Sequence, residues 1–218
     1  QQEYLFRELQ LIEDEEVREN RREELTRMMV LWPLTYQCVC IAMINAESEK
    51  GQVLYLADDF DVDEVGQEGV KFLPFPDEHE LLTEFWKVVP KFDRIVSFNG
   101  RGFDVPFVYL RSAVLNVPIS RKDWLGYRFQ TTPHCDLMEQ LSFYNVSGRD
   151  GAARKFNLDF YCRAFGIESP KSQGILGMDV GQLMEEGRYR EIADYCLRDV
   201  YATNRLYQIW KERLEGIK

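Results

Sequence analysis

The stretch Ile95-Val96-Ser97-Phe98-Asn99-Gly100-Arg101-Gly102-Phe103-Asp104-Val105-Pro106 decides the fold. A short apolar run gives way to two glycines and an aromatic, and a carboxylate then stands where a helix should begin. That order predicts a strand, a tight turn and a helix start. A ligand-binding α/β sheet carries its chemistry on the loops leaving the carboxyl ends of its strands, and Asp104 falls on such a loop. Asp104 ahead of Val105-Pro106 also suits a helix N-cap, and this stretch alone leaves both roles open.

Upstream, Thr35 to Asn45 is the strongest strand pattern in the chain, and Gln52 to Ala57 is a second. The polar turn Glu47 to Gly51 between them predicts an antiparallel hairpin. Asp58 to Pro76 is acidic and reads as a loop. Within it Asp59, Asp61 and Asp63 have the first spacings of a calcium loop, but Glu64 and Val70 occupy the positions that need glycine and glutamate, so no calcium site is expected. A helix is expected from Asp77 to Val89, with Leu81, Leu82, Phe85 and Val89 facing inward. Nearer the N-terminus, Tyr4 to Ile12 fits helical spacing and alternation alike, with helix preferred. Glu13 to Leu31 is an exposed, charge-rich helix that stops before Pro33.

Downstream, a helix is expected from Asp104 to Leu115, anchored by Phe107, Tyr109, Leu110 and Val114. Residues 118–133 are irregular, with Trp124 and Tyr127 set among Arg121, Lys122 and Arg128. Aromatics in such company either pin a loop to the core or stack nucleic-acid bases. His134 to Met138 closes another strand and leads into a helix to Tyr144, and Leu158 to Phe165 forms a helix ended by Gly166. Residues 168–181 are a turn-rich loop, a possible substrate rim. The last helix runs from Tyr189 to Leu214.

A chain of 218 residues and 25.8 kDa with 45% hydrophobic content can bury a full core as one α/β domain. No apolar run approaches the ~20 residues of a membrane span and no signal-peptide pattern opens the chain, so a soluble, cytoplasmic protein without a membrane partner is expected. Five cysteines, at 38, 40, 135, 162 and 196, suggest free thiols in a reducing compartment. With only His79 and His134 as imidazoles and no two-residue spacer between Cys38 and Cys40, a zinc site is not expected. The net charge of −10 argues against indiscriminate nucleic-acid binding. It is unevenly spread: residues 94–171 hold 11 basic and 7 acidic side chains, whereas residues 1–93 hold 9 and 22. The basic third contains the deciding stretch, as a face that admits a polyanion would require.

On the last helix Ile192, Cys196, Asp199, Thr203, Leu206 and Trp210 fall on one stripe at three- and four-residue spacing. Asp199 therefore points where its neighbours are apolar. A carboxylate so placed must be paired, hydrogen-bonded or metal-bound, and an ion pair with a distant arginine is one solution. Tyr195, four residues earlier, presents its hydroxyl on the same face.

Asn99-x-x-x-Phe103-Asp104 resembles the second motif, and Tyr195-x-x-x-Asp199 the third, of the DnaQ-like, ribonuclease-H-fold 3′-to-5′ exonucleases. The likeness is to the branch related to the exonuclease domain of family-B DNA polymerases. His134-x-Asp136-Leu137-Met138 and Gly166-Ile167-x-Ser169-Pro170-Lys171 also look like that branch, and the resemblance covers roughly residues 33 to 213. It implies a ribonuclease-H-like mixed sheet flanked by helices, and hydrolysis of single-stranded DNA or RNA from a free 3′ end with two Mg²⁺ or Mn²⁺. By resemblance Asp104 and Asp199 are metal ligands and Tyr195 orients the attacking water. Asn99 supports the turn or the substrate, and Phe103 packs in the core or walls a base. The first motif, Asp-x-Glu on the central strand, has no good counterpart; Glu13-Asp14-Glu15 is the nearest and lacks strand character. The chain begins at Gln1-Gln2, and residues 1–218 read as a single exonuclease-like domain without its first strand. A degenerate module of the same fold, binding nucleic acid or a protein partner, is the alternative.

Overall fold

The hairpin forms, but its first strand is half as long as the apolar run suggests. Thr35 and Tyr36 are drawn into a turn by the carbonyl of Trp32, and the backbone N–H of Cys38 donates to Glu78 at 2.7 Å. Extended pairing therefore starts only at Cys40. In the computed structural model, which describes residues 4, 6–58, 64–65, 69–145, 154–169 and 179–217, strand β1 is Cys40–Ile44 and runs antiparallel to β2, Gly51–Leu56. Asn45 shapes the turn between them by accepting the N–H groups of Glu47 and Ser48 at 3.0 and 2.9 Å.

The acidic segment expected to be a loop contains a strand. β4, Val70–Phe75, pairs in parallel with β2, and the two-residue β3, Glu64–Val65, pairs antiparallel with β4. Val70 and Phe72 alternate inward and are buried, a short period-two signal that the surrounding acids and two prolines obscure. Asp59, Asp61 and Asp63 lie outside the described residues, as does 170–178 of the turn-rich loop.

Helix α1, Glu15–Met29, is exposed along most of its length and capped by Asp14. It follows a 3-10 turn at Phe6–Leu11. α2, Glu78–Val88, is capped by Asp77 as expected and buries Leu81, Leu82, Phe85 and Trp86. It packs on β2 and β4 and delivers the chain to β5, Ile95–Ser97. α3, Asp104–Val114, rests on Val105, Phe107 and Val108; Leu110 and Val114, expected to anchor it, are exposed. The helix is rotated because Trp86 and Ser112, joined at 2.8 Å, fix its inner face. β6, His134–Asp136, pairs in parallel with β5 and leads into α4, Leu137–Leu141. α5, Leu158–Ala164, ends at Gly166 in the left-handed region, φ 71°. The short α6, Val180–Glu185, precedes the 25-residue α7, Tyr189–Arg213.

This is the mixed sheet flanked by helices that the motifs imply, with one interruption. β1 is an edge of the four-stranded sheet β1-β2-β4-β3, and β5 belongs to a separate pair with β6. α7 packs on both β1 and β5 and so ties the two pieces together. Among the described residues no strand stands between them. All five cysteines are free, and among the described residues no helix is long and apolar enough to cross a membrane.

Candidate active site

The deciding stretch is built around a buried carboxylate, Asp136, to which the sequence pattern assigns no role. Asp136, at the end of β6, accepts the backbone N–H groups of Asn99 and Arg101 at 2.9 Å each and that of Met138 at 3.0 Å. One side chain thus closes the turn after β5 and starts α4. Asn99 takes the left-handed φ of 65°, and its carbonyl accepts from Gly102 and Phe103 at 3.0 Å. Gly100 is obligatory: a Cβ there would lie 2.2 Å from Ser97 Oγ and 3.3 Å from Asp104 Oδ2. Ser97 accepts the Gly100 N–H at 3.2 Å and lies 2.7 Å from Nε2 of the fully buried His134. Nδ1 of that ring faces the Trp124 carbonyl at 3.3 Å. A neutral ring donating to Trp124 and accepting from Ser97 satisfies every partner, and burial holds its pKa down to about 4.

Asp104 is the first residue of α3 rather than its cap; the cap position is Phe103, which makes no capping bond. Released from that duty, the Asp104 carboxylate lines a cavity of about 1640 Å³. Asp199, Tyr195 and Asn99 line the same cavity, and so does Phe103, whose ring is 40% exposed. The stripe on α7 is buried at its two ends, with Ile192, Leu206 and Trp210 in the core, while Cys196, Asp199 and Thr203 face the cavity. All five residues singled out by the motifs therefore meet in one place. Glu13, Asp14 and Glu15 do not join them; they are exposed, and Asp14 caps α1.

The cavity is electrostatically tense. Asp104 is accessible through its open side, yet the protein around it pushes its pKa up to about 6, chiefly by desolvation and further by the charges of Asp136 and Asp199. The Tyr195 hydroxyl is raised well above its usual value by burial, by the Asp199 charge and by its hydrogen bond to that carboxylate. A carboxylate reluctant to ionise, with the Asp199 charge as one cause of that reluctance, suits a hard divalent cation, which would offset the crowding of negative charge. The pair falls short of a two-metal ligand set: among the described residues, no three His, Cys, Asp or Glu side chains are grouped to hold an ion.

The slot has a definite outline. Every residue of β1 and of β5 lines the cavity, so two strand edges face each other across it.

The family model described as a predicted 3′-5′ exonuclease related to the exonuclease domain of PolB matches residues 33–215. The chain belongs to this family. Similar proteins include DNA polymerase 1 of Sulfolobus acidocaldarius, 25% identical over 182 residues that make up 78% of this chain and 19% of that protein. DNA polymerase 1 of Saccharolobus solfataricus is 25% identical over 161 residues, 69% of this chain and 18% of its own length. The chain thus spans less than a fifth of the length of these curated relatives. Within the family match fall both motif carboxylates, the turn that Asp136 closes, and the slot.

Proposed function

We propose that this chain is a metal-dependent 3′-to-5′ exonuclease acting on single-stranded DNA or RNA. The convergence of Asp104, Tyr195 and Asp199 on one cavity is the observation that carries this reading. Asp104 and Asp199 would hold two Mg²⁺ or Mn²⁺ together with further oxygen ligands; cations bound there would activate a water and offset the charge on the scissile phosphate. Tyr195, hydrogen-bonded to Asp199 and kept protonated by its surroundings, has a hydroxyl to orient that water. Asn99 supports the substrate or its own turn, and Phe103 offers a wall for the terminal base.

The remaining ligands would belong on a further strand, which is absent among the described residues. The slot between β1 and β5 is the place for it, because an extended segment there would pair with both edges and bring an Asp-x-Glu beside Asp104 and Asp199. Residues 1–218 then form one exonuclease domain completed by that strand. The same gap favours a second reading, a catalytically degenerate module that binds nucleic acid or a protein partner through the fold.

Digestion of 5′-labelled single-stranded DNA and its RNA counterpart with Mg²⁺ or Mn²⁺ separates the two. The exonuclease gives a ladder shortening from the 3′ end that Asp199→Asn abolishes. No ladder from a folded, metal-supplied sample, with no heat on titration of Mn²⁺, selects the module.

A further inference from the structure

The rim of the cavity carries a stack that the exonuclease chemistry does not use. Phe156 and Phe160 lie face to face, centroids 4.1 Å apart and 13° from parallel, and the Arg154 guanidinium stands 5.7 Å over the Phe156 ring. The stack is braced from within: Tyr161 packs edge-on against Phe156 and against Phe98, the residue before Asn99, and donates its hydroxyl to the Arg154 carbonyl at 3.0 Å. Phe160 at its outer end is 49% exposed. Phe156 and the neighbouring Lys155 line the cavity that holds Asp104 and Asp199.

The same segment is also cationic. Arg94, Arg101, Arg111, Arg121, Arg128 and Arg163 each pair with a carboxylate, in a protein that is acidic overall. Arg154 and Lys155 are exposed and make no ion pair among the described residues. Two cations left unneutralised beside an exposed ring at the mouth of an acidic cavity suit a ligand with phosphates and flat faces in alternation.

The geometry points to residues 154–160 as a binding track for the nucleotides just upstream of the terminal one, with a base on Phe160 and phosphates on Lys155 and Arg154. This rests on the exonuclease reading and deepens it, since it says how the strand is held outside the cleavage position. Base-on-aromatic stacking accepts any base, so the track grips the strand without reading its sequence.

Fluorescence anisotropy in EDTA tests the track apart from chemistry, using a labelled oligothymidylate decamer, an abasic decamer of equal length and polyglutamate. Phe160→Ala and the milder Phe160→Leu are expected to weaken the decamer about tenfold and to leave the abasic strand unchanged. Lys155→Ala is expected to weaken both strands and to lower the salt slope by about 0.7. Equal affinity of wild type and Phe160→Ala for the decamer would overturn the track, as would no binding by the wild type. An equal loss for polyglutamate overturns it too, in favour of an acidic protein partner. Hydrolysis of a dinucleotide, too short to reach Phe160, keeps the two readings apart. Activity there without the binding difference removes the track alone; the binding difference without activity removes the exonuclease alone.

Discussion

Asp104 is held where a carboxylate is reluctant to ionise, and the sign of that reluctance can be measured. Its proton leaves at about pH 6 in the folded protein and near 3.8 in an unfolded chain. Between those values the unfolded chain has ionised and the folded one has not, so this group's contribution to stability falls as pH rises and is at its least favourable above 6. Asp104→Asn should therefore melt at an equal or higher temperature than wild type at pH 8, with the gain shrinking towards pH 4. Solvent in the open cavity screens the effect and keeps it small. A lower melting temperature for the variant at pH 8 would refute the account. His134 has the opposite sign. Its ring is neutral down to about pH 4 in the fold, against 6.5 when free, so stability is complete above 6.5 and drops as pH falls through that window by on the order of 3 kcal/mol. In urea titrations His134→Gln should lose this pH slope, whatever its stability at pH 8. Asp104, Tyr195 and Asp199 were legible in the sequence because spacing along one turn or one helix places them. Asp136, Ser97 and His134 were not, since their work is to hold backbone groups up to 37 residues away. The pattern His134-x-Asp136-Leu137-Met138 marks two of these residues but does not say what their side chains hold.

Among the elements, α2, α3 and the approach to β1 are locked by one buried group. Glu78 takes two hydrogen bonds from Arg111, at 2.8 and 2.5 Å, and a third from the Cys38 N–H, while Arg111 also donates to the Pro33 carbonyl at 2.9 Å. Removing one partner strands the other charge in the interior, so Glu78→Ala should cost about 3–5 kcal/mol in chemical denaturation. A Glu78→Leu/Arg111→Met double variant should recover much of that loss; if it is as unstable as the single variant, the ion pair is not what fixes these elements. Helices with clear caps or stops, such as Asp77 before α2 and Gly166 after α5, were legible to within a residue or two. β4 was hidden because it is six residues long and framed by acids and prolines, so its place beside β2 comes from the partner strand and not from local preference. The rotation of α3 was equally invisible, because the Trp86–Ser112 bond chooses its inner face.

Across the whole molecule the sheet is cut in two among the described residues, and α7 packs on both sides of the cut. The motifs told of a mixed sheet, and the slot between its two pieces belongs to tertiary structure alone. If a strand fills that slot, amides of β1 and β5 should exchange with solvent quickly in the 218-residue chain and become protected by about tenfold or more once an Asp-x-Glu strand is supplied. Unchanged exchange at both strands would rule the slot out as a strand site. An unfilled slot also has a consequence that has nothing to do with hydrolysis. An edge that finds no partner within its own chain is a template for the edges of others. The handling of this protein in concentrated solution, its tendency to pair, swap or precipitate, is thus expected to depend on the exposed edges of that same slot.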